Sequence, residues 1–368
     1  MKVMNIVTKN DKITNLKVVF APLYTQGNPY QTLLIKHLTS LGVQIDMNSC
    51  DTFSLLSTIE ERKANILHIH WLDSFFLRVS FLKSLFNLMI FLLQLIFLRL
   101  LNVKIIWTVH NLKNHRNQHL ILDKIASIFV SRIAHGLIVH SESARNETVK
   151  AFRLHKKNNI FIVPHGNYID VYENKISQLE ARKQLNIPSS NLVLLFFGSI
   201  HPYKGISQLI EAFKQLNHDD ICLLIAGKPC SELMATQLNK EVKDHKNIIF
   251  IPGFVSEEQI QLYMNACDVV ALPYQEFLTS GAVILAMSFG KACIAPDKGY
   301  IGEVLSKQGG FLYDPENEDG LLEVLNSLIH KRTVISNMGK HNYQLATQWN
   351  WNYVAKLTLK VYEYYLKN

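Results

Sequence analysis

The stretch Phe196–Gly205, FFGSIHPYKG, joins an apolar run to a helical pattern. Gly198 lets backbone approach a phosphate with no Cβ in the way. Lys204 offers a flexible ammonium to a diphosphate. Gly205 opens a helix whose first amides favour an anion. An ordinary strand–helix turn with a surface lysine would use the same residues. The frame is not a Walker loop, because the required G-x-x-x-x-G-K-[ST] is absent. A second stretch, Pro273–Gly290 (PYQEFLTSGAVILAMSFG), sets Thr279, Ser280 and Gly281 at the start of an apolar helix. Their hydroxyls, amides and helix dipole suit a diphosphate, and Thr279 or Ser280 equally reads as an N-cap. His110 and Asn111 follow an apolar run, where the histidine is either a ligand contact or a core imidazole. Gly27 in YTQGNPY, and His165 and Gly166 in VPHGNY, lie in turns that either approach a ligand or merely reverse the chain.

Turns of this kind do chemistry only when a sheet holds them. Apolar runs at Val18–Ala21, Val43–Met47, Ile66–His70, Val103–Val109, Gly136–Val139 and Ile160–Val163 predict strands, with a helix over Tyr30–Leu41. The second half repeats the pattern at Leu192–Phe197, Ile221–Ala226, Ile248–Ile251, Val269–Leu272 and Ala292–Ala295. Helical patterns at Ile206–Leu216 and Glu257–Ala266 intervene. Continuous apolar runs belong to strands buried on both faces, and their alternation with helices predicts parallel sheets. The charged, aperiodic segment Pro164–Pro188 is the expected junction. It divides the chain into domains 1–170 and 171–348, with a tail 349–368 whose amphipathic helix is free to pack back on the first domain. Ligands of open α/β sheets bind beyond the carboxyl ends of strands, where the turns above fall.

The 368 residues leave room for two domains. The net charge of +8 is uneven: residues 1–165 hold 20 Lys/Arg against 9 Asp/Glu, whereas 166–368 hold 18 against 21. A basic half suggests an anionic partner. No zinc-ligand spacing, arginine-rich arm or aromatic RNA-binding signature is present, so an anionic membrane surface is favoured over nucleic acid. The five scattered cysteines form no C-x-x-C pair, which fits a reducing compartment. The first residues show no secretory pattern. Ser84–Leu98 carries no charge over 15 residues, about 22 Å as a helix against a hydrocarbon core of roughly 30 Å. It reads as a core helix or as one lying in the membrane interface between Arg78, Lys83, Arg99 and Lys104. The location expected is cytoplasmic, peripheral at the inner face of the cell membrane.

The order IIWTVHN (Ile105–Asn111), VPHGNY (Val163–Tyr168), YKG (Tyr203–Gly205), IAG (Ile225–Gly227) and TSG–AMSFG resembles the retaining glycosyltransferases of family four, most closely over residues 160–330. The resemblance implies the GT-B fold, two Rossmann-like doubly wound parallel-sheet domains facing a cleft. It implies transfer of a hexose from a GDP- or UDP-sugar to a lipid-linked or other saccharide acceptor in surface or exopolysaccharide synthesis, with no cofactor and no metal. Lys204 would meet the donor diphosphate with Gly198, Thr279, Ser280 and Gly281, and His110 would sit beside the transferred sugar. Asn111, His165, Gly166 and Gly27 would lie near the cleft or acceptor.

Two departures stand out. The family's paired glutamates fall on Phe277 and Leu285, with Glu276 one place away as a substitute for the first. His201 occupies the place of a phosphate-binding arginine. A sugar-nucleotide epimerase on the same scaffold and a non-catalytic membrane-peripheral binding protein therefore remain alternatives. A nicotinamide dehydrogenase is disfavoured, because no G-x-G-x-x-G follows the first strand.

Overall fold

The computed structural model describes residues 16–24, 28–46, 51–114, 117–155, 159–216 and 218–367. The chain forms two compact units. One comprises residues 1–139, 148–163 and 351–368, the other 140–147 and 164–350. The segment Pro164–Pro188, read as the junction, thus lies within the second unit. It contains a helix started by a capping box between Ser177 and Glu180, a reciprocal pairing that satisfies two orphan donors.

The first unit runs β1 (Lys17–Ala21), α1 (Tyr30–Ser40), β2 (Gln44–Asp46), α2 (Leu55–Arg62), β3 (Ile66–Ile69), α3 (Asp73–Phe76), α4 (Phe81–Leu100), β4 (Lys104–Thr108), α5 (Leu120–Ile133), β5 (Gly136–Val139), α6 (Glu142–Phe152, whose residues up to Glu147 belong to the second unit) and β6 (Ile160–Ile162). The second runs α7 (Gln178–Gln184), β7 (Leu192–Phe197), α8 (Ile206–Lys214), β8 (Ile221–Gly227), α9 (Glu232–Val242), β9 (Ile248–Pro252), α10 (Glu257–Ala266), β10 (Val269–Ala271), α11 (Gly281–Ser288), β11 (Ala292–Pro296), α12 (Gly299–Gly309), β12 (Gly310–Tyr313), α13 (Gly320–His330) and α14 (Arg332–Thr347). The last helix, α15 (Trp351–Lys367), returns to the first unit. There Trp351, Val354, Val361 and Tyr362 join the core under β1, β3 and α1.

Among the described residues each unit holds one six-stranded parallel sheet, ordered β2-β1-β3-β4-β5-β6 and β12-β11-β10-β7-β8-β9. The chain therefore reverses direction across the first sheet between β1 and β3, and across the second between β7 and β10. Side-by-side strands whose connections leave in opposite directions open a crevice at their carboxyl ends. Strands β7 and β8 are buried at every residue, as their unbroken apolar sequences require. β12 went unread in the sequence, because Gly310–Tyr313 is too short and follows directly on α12.

The apolar helix differs from its sequence reading in length. α4 extends over 20 residues, about 30 Å, because Phe81–Lys83 and Arg99–Leu100 continue the helix beyond the uncharged stretch. Length alone would let it cross a bilayer, and 39% of its most apolar window is buried in the fold. The four described cysteines are free, and Cys50 lies outside the described residues.

Candidate active site

The switch point of the second sheet brings two loops into contact. After β7 the chain turns at Gly198 (φ +104°) and again at Gly205 (φ +71°), conformations that favour glycine. A Cβ on Gly205 would stand 2.0 Å from the Pro273 carbonyl oxygen, so the YKG turn lies directly on the exit of β10. The backbone N–H of Gln275 donates to the Tyr203 carbonyl at 2.9 Å, locking the two loops together. The IAG turn is packed as tightly, since a Cβ on Gly227 would meet the Gly198 carbonyl oxygen at 1.8 Å.

These constraints hold Lys204 over the crevice. Its backbone N–H donates to the His201 carbonyl at 3.0 Å. Its Nζ donates to Ser199 Oγ at 3.3 Å and stands 5.4 Å from the centre of the Tyr274 ring. That nitrogen stands over the Gly198 turn, 4.0 Å from where a Cβ on Gly198 would lie. Burial pushes the Lys204 ammonium down to about 8, because removal from water disfavours its charged form. An arriving anion would restore that charge.

Tyr274 links the lysine to the start of α11. Burial raises its phenol, and the hydroxyl neighbours Ser280. Ser280 is the N-cap, its Oγ accepting from the Val283 N–H at 3.3 Å. The helix itself supplies no partner for the Gly281 and Ala282 amides, which stand in its first turn. The VPHGNY turn closes the other side. A Cβ on Gly281 would lie 3.1 Å from Tyr168 Oη and 3.9 Å from His165 Nε2. His165 Nδ1 donates to the Gly166 carbonyl at 2.8 Å, which leaves Nε2 as the acceptor. Burial, with the neighbouring His140, lowers this imidazole to about 3, so it is neutral at physiological pH. The Tyr168 N–H donates to Ser288 Oγ at 2.9 Å, tying the turn to α11.

The structure thus gathers Gly198, Lys204, Ser280, Gly281 and His165 around one sheet edge, with Gly166 in the adjoining turn. Thr279 precedes the cap and is half-buried. His201 stacks on Tyr203, with ring centres 5.4 Å apart, and Glu276 is exposed on the loop before α11. Leu285 is packed in the core of the second unit. Helix α11 therefore buries the position where the family pattern has its second glutamate.

The first unit carries a separate cluster at the ends of β3 and β4. His110 Nε2 lies 3.0 Å from His70 Nδ1. Its ring stacks on Trp71 with centres 4.6 Å apart and planes 17° apart. Tyr30 meets the same imidazole edge-on at 5.0 Å. Asn111 donates through Nδ2 to the Lys113 carbonyl, and Gly27 lies outside the described residues. His68, two residues before His70, is a core imidazole. It is fully buried between the Tyr362 hydroxyl at 2.6 Å and Thr108 Oγ1 at 2.8 Å, and burial lowers it to about 3. His70, Trp71, Tyr168 and Tyr274 were not singled out by sequence reasoning. His70 and Trp71 could have been, since they directly follow the run that forms β3.

A family profile, described as glycosyl transferases group 1, matches residues 177–345. The second unit carries the group 1 match over those residues, and the chain is a glycosyltransferase. It is 25% identical over 298 residues to the GDP-mannose:glycolipid 4-beta-D-mannosyltransferase of Xanthomonas campestris, covering 80% of this chain and 78% of that one. It is 30% identical over 208 residues to the lipopolysaccharide 1,2-N-acetylglucosaminetransferase of Salmonella typhimurium, 54% of each chain. Among solved structures, sucrose-phosphate synthase of Thermosynechococcus elongatus superposes with a TM-score of 0.75 at 16% identity, covering 96% of this chain and all of that one. Anabaena HepE, solved with UDP and glucose, gives 0.73 at 16% identity, covering 95% of this chain and all of that one. The glycosyltransferase therefore has the GT-B fold, with two Rossmann-like parallel-sheet units.

Proposed function

We propose that this glycosyltransferase moves a hexose from a nucleotide-diphosphate sugar to a lipid-linked saccharide, with retention at the anomeric carbon, in surface or exopolysaccharide synthesis. The observation that carries the donor reading is the half-buried Lys204 ammonium. It is held over the Gly198 turn and Tyr274 at the β7/β10 switch point. As the glycosidic bond breaks, the leaving diphosphate gains negative charge. Lys204 and the first amides of α11 would stabilise that charge, each preorganised donor being worth roughly 10²–10³ in rate. Glu276, Thr279 and His201 flank the same loops and would contact the donor. With Leu285 in the core, ribose must be held by other groups. His110, with Asn111 beside it, would serve the sugar and acceptor side, and the acceptor hydroxyl would pass its proton to the departing phosphate.

The acceptor class is drawn from the relatives, whose names specify a glycolipid and a lipopolysaccharide. The test is incubation of purified protein with GDP- and UDP-hexoses and a lipid-linked saccharide, followed by NMR assignment of the product's anomeric centre. Retention predicts an α-glycoside from an α-linked donor. The Xanthomonas relative is named as a 4-beta-D-transferase, so a β-glycoside is the outcome that would overturn retention. Epimerised donor formed without acceptor, or donor binding without any transfer, would overturn the reading as a whole.

A further inference from the structure

Two helices that flank β4 leave an apolar platform on the first unit. α4 is apolar on its outward face as well as its inward one, a pattern that requires burial or a lipid surface. One side packs inward through Leu88, Phe91, Leu95 and Leu98, with Phe91 stacked on Phe75 at 4.4 Å. The other side presents Leu82, Phe86, Met89, Leu93, Phe97 and Leu100, all exposed. At 3.6 residues per turn these six fall within an arc of roughly 80°. α5 packs alongside α4 and adds exposed Leu120, Ile121 and Ile125. Contiguous bare apolar area of this kind marks an interaction surface.

Charge identifies the partner. The exposed charged residues of the two helices are Lys83, Arg99, Lys124 and Arg132, all cations. Their one acid, Asp123, is buried and accepts from the Asn114 N–H at 2.7 Å. On the helical wheel Lys83 and Arg99 lie about 100° to either side of Leu82. Long cations bordering an apolar face keep their stems on hydrocarbon and their heads at phosphate level.

We propose that α4 and α5 seat the first unit on a bilayer containing anionic phospholipid, with α4 lying along the interface. A spanning orientation conflicts with the fold. Strands β3 and β4, which α4 connects, pair side by side from Ile66↔Lys104 onward. α4 is also tied to its own unit along its length. The Arg78 N–H donates to Ser84 Oγ at 2.8 Å, Gln94 Nε2 to the Thr52 carbonyl at 2.8 Å, and Arg99 to the Ile133 carbonyl. No residue of the donor cradle belongs to these helices, so the inference stands apart from the donor reading.

The test is sedimentation of the full chain with vesicles of phosphatidylcholine alone or mixed with phosphatidylglycerol. The wild type is expected to pellet with the anionic vesicles and to be released by salt. The exposed-site variant Phe86→Asp/Leu93→Asp should bind about tenfold more weakly or worse, with unchanged circular dichroism. Lys83→Gln/Lys124→Gln should weaken binding to anionic vesicles specifically. A wild type that stays in the supernatant, or a double-aspartate variant that binds as tightly, would overturn the proposal. So would a lipid-free dimer that the same variant dissociates while vesicle binding is absent.

Discussion

The two sheets share an architecture and a kind of switch point but carry different side chains at their carboxyl ends. At β7/β10 the second sheet offers an ammonium and a helix start, fixed by glycines too tightly packed to accept a side chain. At β3 and β4 the first sheet offers imidazoles and an indole, held by ring stacking. An ammonium and oriented amides select an anion, whereas a stack of aromatic edges and ring nitrogens suits hydroxyl-bearing, uncharged matter. One topology thus presents two different sets of side chains, because the turns after the strands differ while the strand order has the same form.

The largest effect should follow removal of the ammonium. Lys204→Ala is expected to lower kcat/KM by about a hundredfold or more, with an unchanged circular dichroism spectrum; a folded variant with near-normal turnover would remove the anion assignment. The depressed pKa sharpens the same point. Free enzyme loses the Lys204 charge above about 8. The profile of kcat/KM should therefore be level below that value and fall about tenfold per pH unit above it. Lys204→Arg, which stays charged, should lack this alkaline limb if it retains activity. A wild-type profile flat to high pH would contradict the burial argument. His165, neutral down to about 3, contributes no limb in this range.

The first edge should respond differently. His110→Ala is expected to lower transfer by about tenfold or more while nucleoside diphosphate affinity, read by calorimetry, is unchanged. Lost nucleotide affinity would mean that the two edges do not divide the work. His70→Phe removes the ring nitrogen 3.0 Å from His110 Nε2 and should cost less than His110→Ala in the same assay. The smallest effect is expected at the helix cap. Ser280→Ala deletes the bond to the Val283 N–H and should cost about 1 kcal/mol of stability, seen as a slightly lower Tm.

The sheet strands were readable because burial on both faces forces continuous apolar runs, and most bounds agree within a residue or two. The gathering of Lys204, Ser280 and Gly281 was readable because all three follow strands of an open parallel sheet, whose connecting loops meet at the carboxyl ends. Tyr274 and Tyr168 were not, since a tyrosine has the same letter whether it fills a core or carries an ammonium. The His70–His110 pair was also hidden: 40 residues separate the two rings, and only the pairing of β3 with β4 makes them neighbours. The reach of α4 was underestimated because charges were taken as its ends, whereas Lys83 and Arg99 lie on the helix.

A crystal structure with GDP or UDP tests the central claim most directly. The account predicts β-phosphate oxygens within hydrogen-bond distance of Lys204 Nζ and of the backbone N–H of Gly281 or its neighbour. A diphosphate bound away from both, with the Lys204 side chain turned out to solvent, would contradict it.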